Sequence, residues 1–165
     1  MLAIPRSTFS ETVEDTTFHS ATASADTLVE ALYSAVTFQP GSLPDWSYVR
    51  SMFLNDARVV LRVTRDSTAV LSLDAFVEDF VRFIHRSRVD TSGFREKIVT
   101  MKTLILGNIA NVLVLYEASI PRSPLPPQLG VDSFHLVKQH GRWWIVSIVN
   151  EIVSQDRPIP PELRR

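Results

Sequence analysis

The sequence predicts an α+β domain, a curved antiparallel sheet wrapped around a few helices so as to leave an internal pocket. Two observations carry this. Residues 26–86 show apolar positions at helical spacing on either side of a short alternating stretch, and from residue 94 onward the texture is that of long strands to the end. At 165 residues and 45% hydrophobic content the chain suits one core rather than two.

Residues 1–23 are rich in Ser, Thr and acidic side chains without an apolar period, and are read as a flexible arm. The domain is expected over 24–154 and an extended tail over 155–165. Leu28, Ala31, Leu32, Ala35 and Val36 fall at i, i+3, i+4, i+7, i+8, the stripe of a first helix. Pro40-Gly41 stops it, and Ser42-Leu43-Pro44-Asp45 supplies a hydroxyl, a proline and a carboxylate for the start of a second. Trp46, Val49 and Phe53 form its inner side. Ala57 to Thr64 alternates as a strand, with Arg62 on the solvent side. After the Arg65-Asp66-Ser67 turn a short apolar run leads to Ser72, a cap for the third helix, whose stripe is Leu73, Phe76, Val77, Phe80, Val81 and Ile84.

Phe94 to Leu106 reads as one long strand or two pieces joined by a bulge, turning at Gly107-Asn108 into Ile109 to Ile120. A proline-rich loop, Pro121 to Gly130, precedes a strand from Val131 to Gln139, and His140-Gly141 turns the chain into Arg142 to Val153.

A formal net charge of -1, from 17 basic and 18 acidic residues, provides no field to gather nucleic acid or an anionic membrane. With no cysteine there is no disulfide framework or thiol nucleophile, and four scattered histidines make no metal motif. Five glycines form neither GxGxxG nor GxSxG, which weakens dinucleotide and hydrolase readings. No cofactor and no metal are expected. Pro5 and Arg6 interrupt what a secretory signal would need, and no run approaches a membrane span, so a cytoplasmic location is expected.

Several strings, in order, resemble the nuclear transport factor 2-like superfamily, in particular its polyketide-cyclase-like and uncharacterised branches. They are Asn55-Asp56-Ala57-Arg58, Ser72-Leu73-Asp74-Ala75-Phe76, Gly107-Asn108-Ile109-Ala110-Asn111-Val112 with Tyr116-Glu117 beyond it, and Gly141-Arg142-Trp143-Trp144-Ile145. The resemblance runs from about Asp26 to Pro161 and implies a cone-shaped curved antiparallel sheet packed on about three helices, with a pocket at the wide end. It is nearly silent about function, because one fold hosts isomerases, dehydratases, cyclases and binding modules. It also implies pairing through the convex face. The strand Ile109 to Ala118 gives an independent reason, being apolar on both sides; Leu113, Leu115 and Ile145 are expected on an uncovered face, so a homodimer through the sheet is expected.

Tyr116 is the first candidate for a site. It shares a face with Ala110, Val112 and Val114, where its phenol either reaches a ligand oxygen or packs in the core. His135, with Ser133 and Val137 on its side, serves as a proton shuttle if that face is concave; a lone strand histidine is more often structural. Asn150 interrupts the run Trp144, Val146, Ile148 and must find partners or a ligand. Trp46 and Tyr48 begin the second helix, where at most one points fully inward, and Phe80 offers an aromatic wall. Asp45 reads as an early-turn charge, and no two carboxylates can be placed together. The expectation is a small-molecule ligand and a cofactor-independent lyase, isomerase or cyclase of secondary metabolism, with Tyr116 and His135 as catalytic residues and Tyr48, Asn150, Trp46 and Phe80 as binding residues. The competing expectation is a non-catalytic ligand-binding or dimerisation module.

Overall fold

The computed structural model describes residues 20–164; most of the N-terminal arm lies outside the described residues. Helix α1 spans Ala25–Val36 behind a capping box in which Ser24 and Thr27 exchange side-chain and backbone hydrogen bonds. Its buried stripe is Leu28, Val29, Leu32, Tyr33 and Val36, rotated from the expected one so that Tyr33 turns inward and Ala31 and Ala35 lie at the margin. Helix α2, Trp46–Ser51, is capped by Asp45, whose carboxylate accepts from the amides of Ser47 and Tyr48 at 2.9 and 3.1 Å. Strands β1 (Phe53–Thr64) and β2 (Ser67–Ser72) form a hairpin, and Ser72 caps α3, Leu73–Ser87. A single turn, α4 (Val89–Ser92), leads to β3 (Arg95–Leu106), β4 (Ile109–Ser119), β5 (Gln128–Gln139) and β6 (Arg142–Ile152).

The six strands form one sheet in the order β2-β1-β6-β5-β4-β3. All neighbours run antiparallel except β1 and β6, which are parallel, so the sheet is mixed where an antiparallel one was expected. Tight turns dictate antiparallel pairing only between consecutive strands; β1 and β6 are separated by the whole run from β2 to β5, and nothing in their alternation encodes relative direction. Bulges interrupt β3 between Ile98 and Thr100 and β6 between Ile145 and Ser147, and such irregularities bend a sheet. The sheet does not close into a barrel.

Helices cover one face. Cross-strand register aligns Val112, Phe134, Ile148 and Val59 along it, all at most 6% exposed, with Ala110, Leu136 and Ile145 in the adjoining row. The tail is partly docked. A 3-10 turn at Pro161–Leu163 packs on β3 and β4 from the other face, with Leu163 fully buried. This changes the expected exposed patch: Leu115 is 4% exposed on the face where the tail docks, and the bulge in β6 brings Ile145 onto the inner face beside Leu136. The large apolar side chains left in water on that outer face include Val70, Leu104, Leu106, Ile109 and Val149. No helix among the described residues is long and apolar enough to cross a membrane.

Candidate functional site

The inner face changes character toward one end. Register there brings Glu96, Ile98, Tyr116, Ala118, Gly130, Asp132 and Asn150 side by side on β3 to β6. Between this end of the sheet and helices α1 and α3 lies a cavity of about 350 Å³. Phe76, Phe80 and Phe83 of α3 form one wall, while Tyr33, Phe94 and Phe134 close others. This explains why the apolar stripe of α3 is broader than its buried core of Leu73, Val77 and Ile84: the remaining aromatics pack edge to face with one another and also border the cavity.

Four polar groups form a connected floor. Tyr33 Oη donates to Asp132 Oδ2 at 2.6 Å, and Asn150 Nδ2 donates both to Asp132 Oδ1 at 2.8 Å and to Tyr116 Oη at 2.9 Å. Both protons of the Asn150 amide and both oxygens of Asp132 are thereby engaged. Tyr116 receives a hydrogen bond, and no acceptor among the described residues takes its own proton. That leaves an O–H oriented by Asn150 and available to a guest.

Tyr116 can lie where it does only because its β5 partner is Gly130. A Cβ at that glycine would overlap the tyrosine's ring and hydroxyl. Glu96 is held through its backbone: Thr37 Oγ1, just past α1, accepts from the Glu96 amide at 2.9 Å and donates to the Glu96 carbonyl at 3.0 Å. Two residues earlier, Phe94 pairs with Phe38 through reciprocal backbone hydrogen bonds of 2.9 and 3.0 Å. Gly93, at φ +79°, turns the chain into that pairing, and a side chain there would strike the Phe38 carbonyl.

Removal from water dominates the electrostatics. Burial raises the Glu96 carboxyl to about 8, with the nearby Asp132 charge adding to the effect. Burial also raises Asp132 to about 6, against the hydrogen bonds from Tyr33 and Asn150, which pull it down. The protonated form is thus favoured more strongly at Glu96 than at Asp132, whose two oxygens accept from Tyr33 and Asn150. Both Tyr33 and Tyr116 are pushed above the usual phenol range, first by burial and then by Asp132. The cavity thus presents two proton donors, Tyr116 and Glu96, and one basic group, Asp132, on a lining that is otherwise largely aromatic and aliphatic, with Arg62, Asp79, Arg86 and Gln128 also bordering it.

The candidates named from sequence are distributed unevenly. Tyr116, Asn150 and Phe80 line the cavity. Trp46 stands behind the wall, its ring 5.4 Å from that of Phe80, and Tyr48 does not reach the cavity. His135 is on the outer face, opposite Asn111 and Ser147, exposed, with Nδ1 2.8 Å from Ser147 Oγ. Its alternation with Phe134 and Leu136, which point inward, leaves it no route to the cavity. Arg62, expected in solvent, is half-buried against Glu151 and borders the cavity. Tyr33 and Asp132 were not among the candidates, and Glu96, at the start of β3, could not be paired with a second carboxylate from sequence, whereas it shares the cavity with Asp132. Asp132 gave the same signal as Asn150, a polar residue in alternation with buried Phe134 and Leu136. Among the described residues no group of three or more potential metal ligands is found.

No family model matches the chain, and no curated protein matches it. Solved structures do. An uncharacterised protein with a cystatin-like fold from Caulobacter vibrioides is 18% identical with a TM-score of 0.61, the match covering 79% of this chain and 88% of that one. An NTF2-like protein of unknown function from Pseudomonas putida is 10% identical with a TM-score of 0.61, over 85% and 93% of the two chains. The yeast UBP3-associated protein BRE5 is 14% identical with a TM-score of 0.56, over 78% and 92%. The fold shared with these structures is the NTF2-like, or cystatin-like, α+β fold.

Proposed function

We propose that this chain, built on the nuclear transport factor 2-like fold, is a small-molecule pocket protein that acts by proton transfer on an apolar, oxygenated ligand. It would be a cofactor-free isomerase, lyase or cyclase. The observation that carries the reading is the Tyr33–Asp132–Asn150–Tyr116 network at the floor of an aromatic cavity of about 350 Å³, within the usual range for ligand sites of roughly 300–1,000 Å³. A ligand carbonyl oxygen would accept from Tyr116 Oη and from protonated Glu96. Asp132 would take a proton from the adjacent carbon, the electron pair moving onto the oxygen as an enolate held by those donors. Return of the proton to another carbon completes an isomerisation; loss of a group from the β-carbon completes an elimination. Tyr33 and Asn150 orient Asp132, and His135 has no part.

Calorimetric binding of a simple methyl ketone tests the pocket. Tyr116→Phe should weaken binding about tenfold, the worth of one hydrogen bond in a dry site, and His135→Ala should leave it unchanged. No detectable binding to the unaltered protein would remove the reading. The engagement of both Asp132 oxygens favours a second reading, in which the network only fixes the shape of a non-catalytic binding site.

The outer face supports the proposal of a homodimer through the sheet. Leu104, Leu106 and Ile109 are between 52% and 78% exposed around the β3–β4 turn, an apolar cluster of the kind that stable monomers keep small.

A further inference from the structure

A second hollow of about 170 Å³ lies beside the first and shares three wall residues with it, Phe83, Phe94 and Gln128. The two phenylalanines meet edge to face, with ring centroids 5.4 Å apart, so their pair stands between the hollows. Beyond it the lining is Ala118, Ile120, Leu125 and Pro126 with two serines, and carries no charged side chain. The proline-rich loop that roofs this space holds Pro121, Pro124, Pro126 and Pro127, a backbone with little freedom left to lose when a guest enters. Leu125 borders the hollow yet is 76% exposed, an apolar side chain held in water next to an apolar recess.

We infer that the second hollow is the subsite for the apolar tail of an elongated ligand whose oxygenated head sits on the Tyr116 floor. This rests on the pocket reading above and adds the substrate class: a chain longer than the main cavity holds, uncharged at its far end. The first cavity stands near the lower bound for ligand sites, and of the two it alone has charged side chains in its lining. The head and tail environments are therefore separated by the Phe83–Phe94 pair, and a ligand spanning both would satisfy each in turn. Leu125 would close over the tail, exchanging its water contact for alkyl contact.

A homologous series of straight-chain methyl ketones, titrated into the protein by calorimetry, tests this. The expected result is affinity rising about three- to fourfold per added methylene, continuing to chain lengths beyond those the main cavity accommodates. Ser123→Trp in the loop and Ile120→Trp just past β4 each fill the second hollow. In both variants the rise should stop at a shorter chain, while the shortest ketone, which reads the main cavity and the fold, binds as to the unaltered protein. If short ketones bind and all three proteins level off at the same chain length, the tail subsite is overturned and the pocket reading stands. If no ketone of any length binds, the pocket reading fails and the subsite with it.

Discussion

At Gly130 a missing side chain does as much for the site as any side chain present. The Tyr116 ring lies across that α-carbon, and a methyl group there must push the ring aside. Gly130→Ala is expected to cost about 1–3 kcal/mol, as overpacking does, and to abolish ketone binding. Combined with Tyr116→Ala, which removes the obstructing ring, it should cost less than the sum of the single changes; urea unfolding of the four proteins measures the coupling. The two carboxyls make a pH prediction. Glu96 and Asp132 titrate near about 8 and about 6 in the folded protein, against 4.5 and 3.8 as ordinary values. The folded chain therefore holds protons that the unfolded chain has released, so stability is greatest at acid pH and falls as pH rises through these values. Thermal unfolding should show a lower Tm at about pH 9 than at about pH 5, and Glu96→Gln should flatten the upper part of that slope. A Tm unchanged across the range would contradict the burial of these groups.

At the level of elements, Thr37 joins α1 to β3 by gripping both backbone polar groups of Glu96. Thr37→Val keeps the shape but loses both bonds. A loss of about 1–3 kcal/mol is expected, with a shifted pH dependence of stability because Glu96 is no longer fixed, and Thr37→Ser should restore both. The C-terminal turn is part of the sheet's packing: Leu163→Ala should destabilise by about 2–5 kcal/mol in urea unfolding, which a tail outside the fold would not do. Most elements were legible from periodicity and punctuation. Ser72 announced the start of α3, the Gly107-Asn108 turn announced the long hairpin, and the β3 bulge lay among the readings allowed, whereas at α2 the cap is Asp45 itself and not Ser42, whose hydroxyl bonds back to Gln39. The stripe of α1 was misread by one position because Ala31 and Ala35 are apolar and Tyr33 is amphipathic, although it is Tyr33 that reaches the floor. Tail docking was illegible, since one leucine in a proline-rich segment has no period.

In the whole molecule, what sequence could not supply is register. Alternation places Tyr116, Asn150 and Asp132 each on some face of its strand, but only the pairing Val114–Asp132–Asn150 and Tyr116–Gly130 brings them together. The same pairing sends His135 to the outer side with Ser147, so the proposed proton transfer rests on the carboxyls that line the cavity and not on a histidine. Assembly belongs to this scale as well. Light scattering at micromolar concentration should give the mass of a dimer, and Leu106→Glu, placing a charge in the exposed cluster, should give that of a monomer while leaving ketone affinity unchanged. The central claim is that the Asp132 network moves a proton on a bound carbonyl compound. It is tested most directly by following, by NMR in deuterated water, the exchange of the α-protons of a methyl ketone with catalytic amounts of protein. The account predicts exchange well above the buffer rate, lost in Asp132→Asn and reduced in Tyr116→Phe, and retained in His135→Ala. Exchange at the buffer rate with a ketone shown to be bound would contradict it and leave a binding protein.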